Sequence, residues 1–345
     1  MAPRAFIVGL AGLSISADER AFLRDAEPWG VILFKRNVSG PAQVADLIFS
    51  LRELLGHRAP VLVDQEGGRV QRLGPPHWPA YPPGAVYGAL YDRDPALGLA
   101  AGRLGGHLIG ADLAALGVDV DCLPLADVPV AGANAVIGDR AYGSEPGKVA
   151  AIAGAIAKGL KAAGVLPVLK HLPGHGRATA DSHLALPVVG TDRETLAATD
   201  FAAFRPLREL PLGMTAHVVF SAIDPVAPAT TSVTMVQQVI RDEIGFKGAL
   251  MSDDVSMGAL SGTVAERSRA AIAAGCDLVL HCNGDLEEMH EIASAVPVLA
   301  GEALARADAA LAARSAPQEF DARAARLAFD QMVAGITPSA QWMML

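Results

Sequence analysis

Eight short runs of continuous apolar residues recur along the chain, at Phe6–Leu10, Gly30–Phe34, Pro60–Val63, Val118–Leu125, Val165–Leu169, Gly213–Phe220, Gly248–Met251 and Leu278–His281. Because they are continuous and not alternating, they predict parallel strands covered on both faces. The stretches between them carry a helical period; Val44, Leu47, Ile48, Leu51, Leu54 and Leu55 form one apolar stripe. Ser16 with Glu19, Thr191 with Glu194, and Thr263 with Glu266 are spaced as capping boxes that open helices. Gly164 and Gly275 stand where helices should stop before the next strand. Eight strand–helix units in succession predict an α/β fold, a single-domain (β/α)8 TIM-type barrel, although a doubly wound open sheet shares the pattern. Residues 1–297 are assigned to the barrel. Residues 298–345 are Ala- and Arg-rich and are expected to form one or two C-terminal helices packed on it, with a frayed tail ending near Leu345.

Composition narrows the class. Of 345 residues, 51% are hydrophobic and 19% charged, which supports a large core and argues against disorder. The net charge of −9 comes without any basic run, so neither nucleic acid nor an anionic membrane is an expected partner. The opening MAPRAFIVGLAGLSIS has a single Arg4 and is broken by Gly9 and Gly12, which fits a strand entering a helix better than a signal peptide. No window approaches the roughly 18 unbroken apolar residues of a membrane helix. Three cysteines, Cys122, Cys276 and Cys282, form no CxxC pair and suit a reducing cytosol, so a cytoplasmic protein is expected. With no heptad or exposed apolar repeat, a monomer is the expected state.

In a parallel barrel the chemistry sits at the carboxyl ends of the strands, so the polar residues after each apolar run are the candidates. The third run is followed by Asp64-Gln65-Glu66-Gly67-Gly68-Arg69-Val70-Gln71-Arg72. An acid followed by two glycines and two arginines there should face a polar cleft. The fourth run carries Asp119, Asp121 and Asp127, followed by Gly138-Asp139-Arg140. One of these acids is expected to pair with an arginine to hold loops together, and none is assigned a catalytic role. After the fifth run comes Lys170-His171-Leu172-Pro173-Gly174-His175-Gly176, then Asp181-Ser182-His183. Pro173, Gly174 and Gly176 forbid a regular helix. In an extended segment Asp181 and His183 would point the same way, so that Asp181 could bond one imidazole nitrogen and raise the basicity of the other, as an oriented general acid/base requires. The sixth run carries Thr215-Ala216-His217 and the seventh Ser252-Asp253-Asp254. Of two adjacent carboxylates on a strand only one can aim into the barrel mouth, and the other is expected to bond loop backbone. His171, His175 and His183 leave a barrel metal site open as an alternative, and His175 alone could simply satisfy loop carbonyls.

Together these motifs resemble glycoside hydrolase family 3, in particular the single-domain bacterial β-N-acetylglucosaminidases of peptidoglycan recycling. The resemblance rests on DQEGGRVQR at 64–72, KHLPGHG with DSH at 170–183, and SDD at 252–254, and it spans nearly the whole barrel. Leu172 stands where the family often has an aromatic residue, and Ala141 where it often has serine. The resemblance implies a retaining exo-enzyme with Asp253 as nucleophile and His183, oriented by Asp181, as general acid/base. It implies Asp64, Arg72, Arg140, Lys170 and His171 as sugar-binding residues, with His217 lining the same pocket. The implied substrate is a small carbohydrate or muropeptide, N-acetylglucosamine on 1,6-anhydro-N-acetylmuramic acid with or without its peptide. Neither cofactor nor metal is implied. The alternatives are a phosphate-using phosphorylase, a metal-dependent barrel hydrolase, attack by the sugar's own acetamido oxygen, and a non-catalytic muropeptide sensor.

Overall fold

The computed structural model describes residues 2–56 and 59–337. Eight parallel strands close into one barrel: β1 (Arg4–Gly9), β2 (Pro28–Leu33), β3 (Val61–Val63), β4 (Val120–Asp121), β5 (Leu166–Leu172), β6 (Leu212–Thr215), β7 (Ala249–Asp254) and β8 (Leu278–His281). Each strand pairs with its neighbours in sequence, and β8 returns to β1 with Phe6 opposite Val279. The closed barrel, and not the open sheet, is therefore the solution these apolar runs adopt. Closure leaves no sheet edge with unpaired backbone groups, and both faces of the strands can be apolar because helices cover the outside and side chains fill the inside.

Helices cover the outside. These are α1 (Ala17–Ala26), α2 (Pro41–Leu55), α3 (Gly84–Arg93), α4 (Pro95–Ala114), α5 (Pro146–Ala162), α6 (Arg193–Ala198), α7 (Asp200–Phe204), α8 (Val264–Ala274) and α9 (Leu286–Ala295), with a π-helix at Met235–Glu243 between β6 and β7. Ser16 and Thr263 form the expected capping boxes on α1 and α8. The third differs: α6 is capped by Asp192, whose carboxylate accepts the Thr195 N–H, a stronger acceptor placed one residue nearer than Thr191. Gly275 ends α8 in the left-handed conformation, as expected.

Two predicted strands are shorter than the apolar runs. The fourth forms a continuous ladder only at Val120–Asp121, because Pro124 has no N–H to continue it, and beyond that Leu125 makes a single bridge to Lys170. The sixth ends at Thr215, and Val219–Phe220 instead pairs with Val188–Val189 outside the barrel. The fifth strand runs longer, carrying Lys170 and His171 to its end.

Beyond residue 297 lie α10 (Gly301–Ala312) and α11 (Ala322–Val333). Arg306 of α10 and Arg241 each reach Asp277 at 2.8 Å, and Phe329 of α11 is buried beside Tyr81 and Tyr87. Asp119, at the amino-terminal end of the barrel, accepts Arg52 and Arg314. It is the loop-holding acid the sequence called for. The tail expected up to Leu345 lies outside the described residues from 338 onward. Among the described residues no helix is long and apolar enough to cross a membrane.

Candidate active site

The carboxyl ends of the strands surround a cavity of about 320 Å³, walled by residues of β2, β5, β6, β7 and β8 and of the loops that follow β2, β3, β4, β5, β7 and β8. Its charged wall is built from two loops and the end of β5. The chain after β3 folds back as a short hairpin, Gln65–Gly67 against Val70–Gln71. Gly67 adopts φ +99°, and a Cβ there would overlap the Pro82 carbonyl, so no other residue fits this turn. The hairpin turns Asp64, Glu66 and Arg72 into the cavity, where Lys170 from β5 and Arg140 from the 138–140 turn meet them.

The bonds are specific. Arg72 Nη2 donates to Asp64 at 2.9 Å, and Lys170 Nζ donates to Asp64 at 3.1 Å and to Glu66 at 2.6 Å. Arg140 grips Glu66 with two donors at 2.8 and 2.9 Å. Burial alone would raise the Asp64 and Glu66 carboxyls, but Lys170 with Arg72 and Arg140 with Lys170 outweigh it, and both lie below the usual carboxylate range. Burial likewise opposes the Lys170 charge, yet Asp64 and Glu66 raise its pKa above the ordinary value. The result is a rigid set of three cations and two carboxylates with donor and acceptor capacity left for hydroxyl groups.

Opposite this wall stand the acids and imidazoles. Asp253, on β7, takes the Asp254 N–H on one carboxylate oxygen at 2.8 Å. Burial pushes its carboxyl up, but the neighbouring His217 and His171 hold it below the ordinary value, so it is ionised at neutral pH. Asp254 is spent on the loop, accepting the Ser256 and Cys282 N–H groups and the Ser256 hydroxyl. The loop bonding expected of one member of the pair thus falls to Asp254, although both residues line the cavity.

His171 lines the cavity, and its Nδ1 lies 2.7 Å from Asp127 Oδ2, which can only accept, so Nδ1 carries the proton. His217 is not on the cavity wall. It is fully buried behind Asp253, with Nε2–H directed to the Asp254 carbonyl at 2.9 Å and Nδ1 at Thr230 Oγ1. Burial lowers its pKa, so at neutral pH it is an uncharged prop for the Asp253–Asp254 backbone.

The Asp181–His183 pair forms, but not in an extended segment. Residues 181–185 make a turn in which Asp181 Oδ1 accepts both the His183 backbone N–H at 2.9 Å and its ring Nδ1–H at 2.7 Å. An aspartate bonding the backbone two residues on is the usual device of such turns. Burial opposes the charge of Asp181, but the bonds from His183 together outweigh it and lower its pKa. His183 faces the cavity with its side chain 63% exposed, as an imidazole that must meet an incoming molecule would be.

Three residues were missed by sequence reasoning. Glu66 lies inside the DQEGGRVQR stretch but was passed over for Asp64, although it carries the bidentate arginine. Asp127 was set aside, yet it is fully buried and orients His171 while accepting the His175 N–H at 2.6 Å. Ser182 bonds His175 beneath the dyad. Among the described residues no three His, Cys, Asp or Glu side chains are grouped to hold a metal ion.

Comparison with known proteins gives this geometry a lineage. Residues 6–313 match the model of the glycosyl hydrolase family 3 N-terminal domain. A β-hexosaminidase of Alkalilimnicola ehrlichii is 44% identical over 285 residues, 80% of each chain. One from Aromatoleum aromaticum is 36% identical and covers 91% of this chain and 88% of its own. The crystal structure of NagZ from Neisseria gonorrhoeae in complex with N-trifluoroacetyl-D-glucosamine superposes with a TM-score of 0.85 at 31% identity, over 97% of this chain and 98% of that one. The chain thus belongs to glycosyl hydrolase family 3, and the protein is a glycoside hydrolase of the β-hexosaminidase type.

Proposed function

We propose that the protein removes terminal β-linked N-acetylglucosamine with retention of configuration, through a covalent glycosyl-enzyme on Asp253. The observation that carries this reading is the placement of an ionised Asp253 and an Asp181-oriented His183 on one small cavity. At about 320 Å³ the cavity stands at the small end of ligand pockets, which suits one terminal sugar. Asp64, Arg72, Arg140, Lys170 and His171 would hold its hydroxyl and acetamido groups. The Asp253 carboxylate attacks the anomeric carbon as the bond to the leaving oxygen breaks, and protonated His183 gives that oxygen its proton. In the second step neutral His183 takes a proton from water, the water oxygen bonds the anomeric carbon, and the Asp253 carboxylate departs.

We further propose a muropeptide substrate, N-acetylglucosamine on 1,6-anhydro-N-acetylmuramic acid with or without peptide, handled by a cytoplasmic monomer. The solved relative's complex with N-trifluoroacetyl-D-glucosamine supports the sugar. One feature favours phosphate as a second acceptor: a neutral imidazole beside Asp253 does not repel an anion as a carboxylate acid/base would.

The test is nitrophenolate release from 4-nitrophenyl N-acetyl-β-D-glucosaminide in EDTA without phosphate. Wild-type turnover is expected, with none from Asp253→Ala. His183→Ala should lose far more activity on glycosides with poor leaving groups than on activated ones, and equal losses would overturn its role. A 5-fluoro glycoside should label Asp253; failure to label, with turnover intact, would favour attack by the acetamido oxygen. Sugar 1-phosphate formed on adding phosphate would make the protein a phosphorylase as well.

A further inference from the structure

His175 has no part in the chemistry above, yet it is 3% exposed and bound on two sides. Its backbone N–H donates to Asp127 Oδ1 at 2.6 Å, and the same carboxylate holds the His171 ring. Its ring Nε2 lies 3.0 Å from the hydroxyl of Ser182, itself 2% exposed and placed between Asp181 and His183. The turn carrying the dyad is otherwise outward-facing, with Leu184 80% exposed. Ser182 is thus the inward anchor of an exposed segment. Two backbone bonds flank it, from the Ala259 N–H to the Ser182 carbonyl and from the Gly258 N–H to the His183 carbonyl, both at 3.1 Å.

We infer that His175 is a positioning residue: through its bond to Ser182 it seats the Asp181–His183 turn over the cavity. The backbone bonds fix the height of the turn against residues 258–259, but they leave it free to rock about that line. A side-chain bond on the inner side removes this freedom and sets the angle at which His183 meets the glycosidic oxygen. It also ties the dyad to the sugar wall, since one chain of bonds runs from the His171 ring through Asp127 and His175 to Ser182. Burial foremost, and the neighbouring His171, lower the His175 pKa to about 4, so the link keeps one protonation state at neutral pH. This inference rests on the reading of His183 as acid/base.

The experiment compares wild type, Ser182→Ala, His175→Leu, His175→Gln and His183→Ala on aryl N-acetyl-β-D-glucosaminides of graded leaving-group basicity. Loss of one buried hydrogen bond is expected to lower kcat/KM about tenfold on the phenyl glycoside and less than about twofold on the dinitrophenyl one, steepening the dependence on leaving group. Ser182→Ala and His175→Leu should both show this. His175→Gln, whose side-chain amide reaches the place of Nε2, should recover to within about threefold of wild type. Affinity for free N-acetylglucosamine, read by calorimetry, should be unchanged in Ser182→Ala, because the sugar wall is untouched. Equal losses across the series, or none on the phenyl glycoside, would overturn the inference. Steepening in His183→Ala without it in Ser182→Ala would sink this inference alone. A flat series in His183→Ala would sink the acid/base reading beneath it.

Discussion

Replacing Asp127 by Asn changes one atom's chemistry and almost no volume, so its effect isolates what the carboxylate does. Asp127 is fully buried and accepts three donors: the His171 ring Nδ1–H at 2.7 Å, the His175 N–H at 2.6 Å and the His171 N–H at 3.4 Å. Burial raises its carboxyl, but His171 foremost among its partners brings it below the ordinary value, so it is ionised in the folded protein. An asparagine has one acceptor oxygen. The backbone N–H of His175 cannot reverse its polarity, so the oxygen stays there and the amide NH₂ faces His171 Nδ1. That nitrogen must then give up its proton, and the proton moves to Nε2. The imidazole in the cavity changes from acceptor to donor, and a charge-assisted bond becomes a neutral one. A hydrogen bond to a charged group contributes about 1.5–3 kcal/mol, which corresponds to roughly a 10- to 150-fold loss in kcat/KM. The assay is steady-state hydrolysis of 4-nitrophenyl N-acetyl-β-D-glucosaminide, paired with thermal unfolding to confirm the fold. Activity within about threefold of wild type, in a folded variant, would refute the claim that Asp127 sets the tautomer of His171.

Three further outcomes follow from the same structure. Asp119→Asn removes the shared carboxylate of Arg52 and Arg314 at the barrel end away from the cavity, so stability should fall by about 2–4 kcal/mol in urea unfolding while kcat/KM holds; a matching activity loss would contradict the separation of the two ends. Glu66→Gln leaves Arg140 and Lys170 short of a buried counter-charge and should cost about 3 kcal/mol at pH 7. Because the folded-state pKa of Glu66 is lowered, its contribution is present above the unfolded value near 4.3 and shrinks as pH falls below it, so wild type and variant should converge in acid. His175 is held neutral with a pKa of about 4 against roughly 6.5 unfolded, so the unfolded chain binds the extra proton between those values. Stability should decline as pH drops from about 6.5 to 4, by up to about 3 kcal/mol from this group, with buried His217 adding in the same direction. His175→Gln should flatten that slope, and an unchanged slope would show that His175 is not the group titrating.

Much of this protein is legible in one dimension. The fold follows from runs of apolar residues that are neither alternating nor long, since such segments can be buried on both faces only in a parallel sheet wrapped by helices. The position of the chemistry follows too, because side chains at the carboxyl ends of barrel strands have nowhere to point but the mouth. Asp64, Lys170 and Asp253 were placed at the cavity that way. The Asp181–His183 pairing was visible because it is local, two residues apart, even though a turn and not an extended strand brings it about. What closure of the barrel decided is which distant groups complete one another. Glu66 meets Arg140 across 74 residues and His171 meets Asp127 across 44, so no local pattern marks either pair. Of three acids on the fourth strand and its loop, Asp119 ended in a structural clamp, Asp121 under the floor and Asp127 behind a histidine, each by its place along the barrel axis. His217 could be read as a pocket residue until depth was known. Periodicity records which residues are buried, whereas the work a buried polar group does depends on its partner, and that partner is supplied only when the eight strands close.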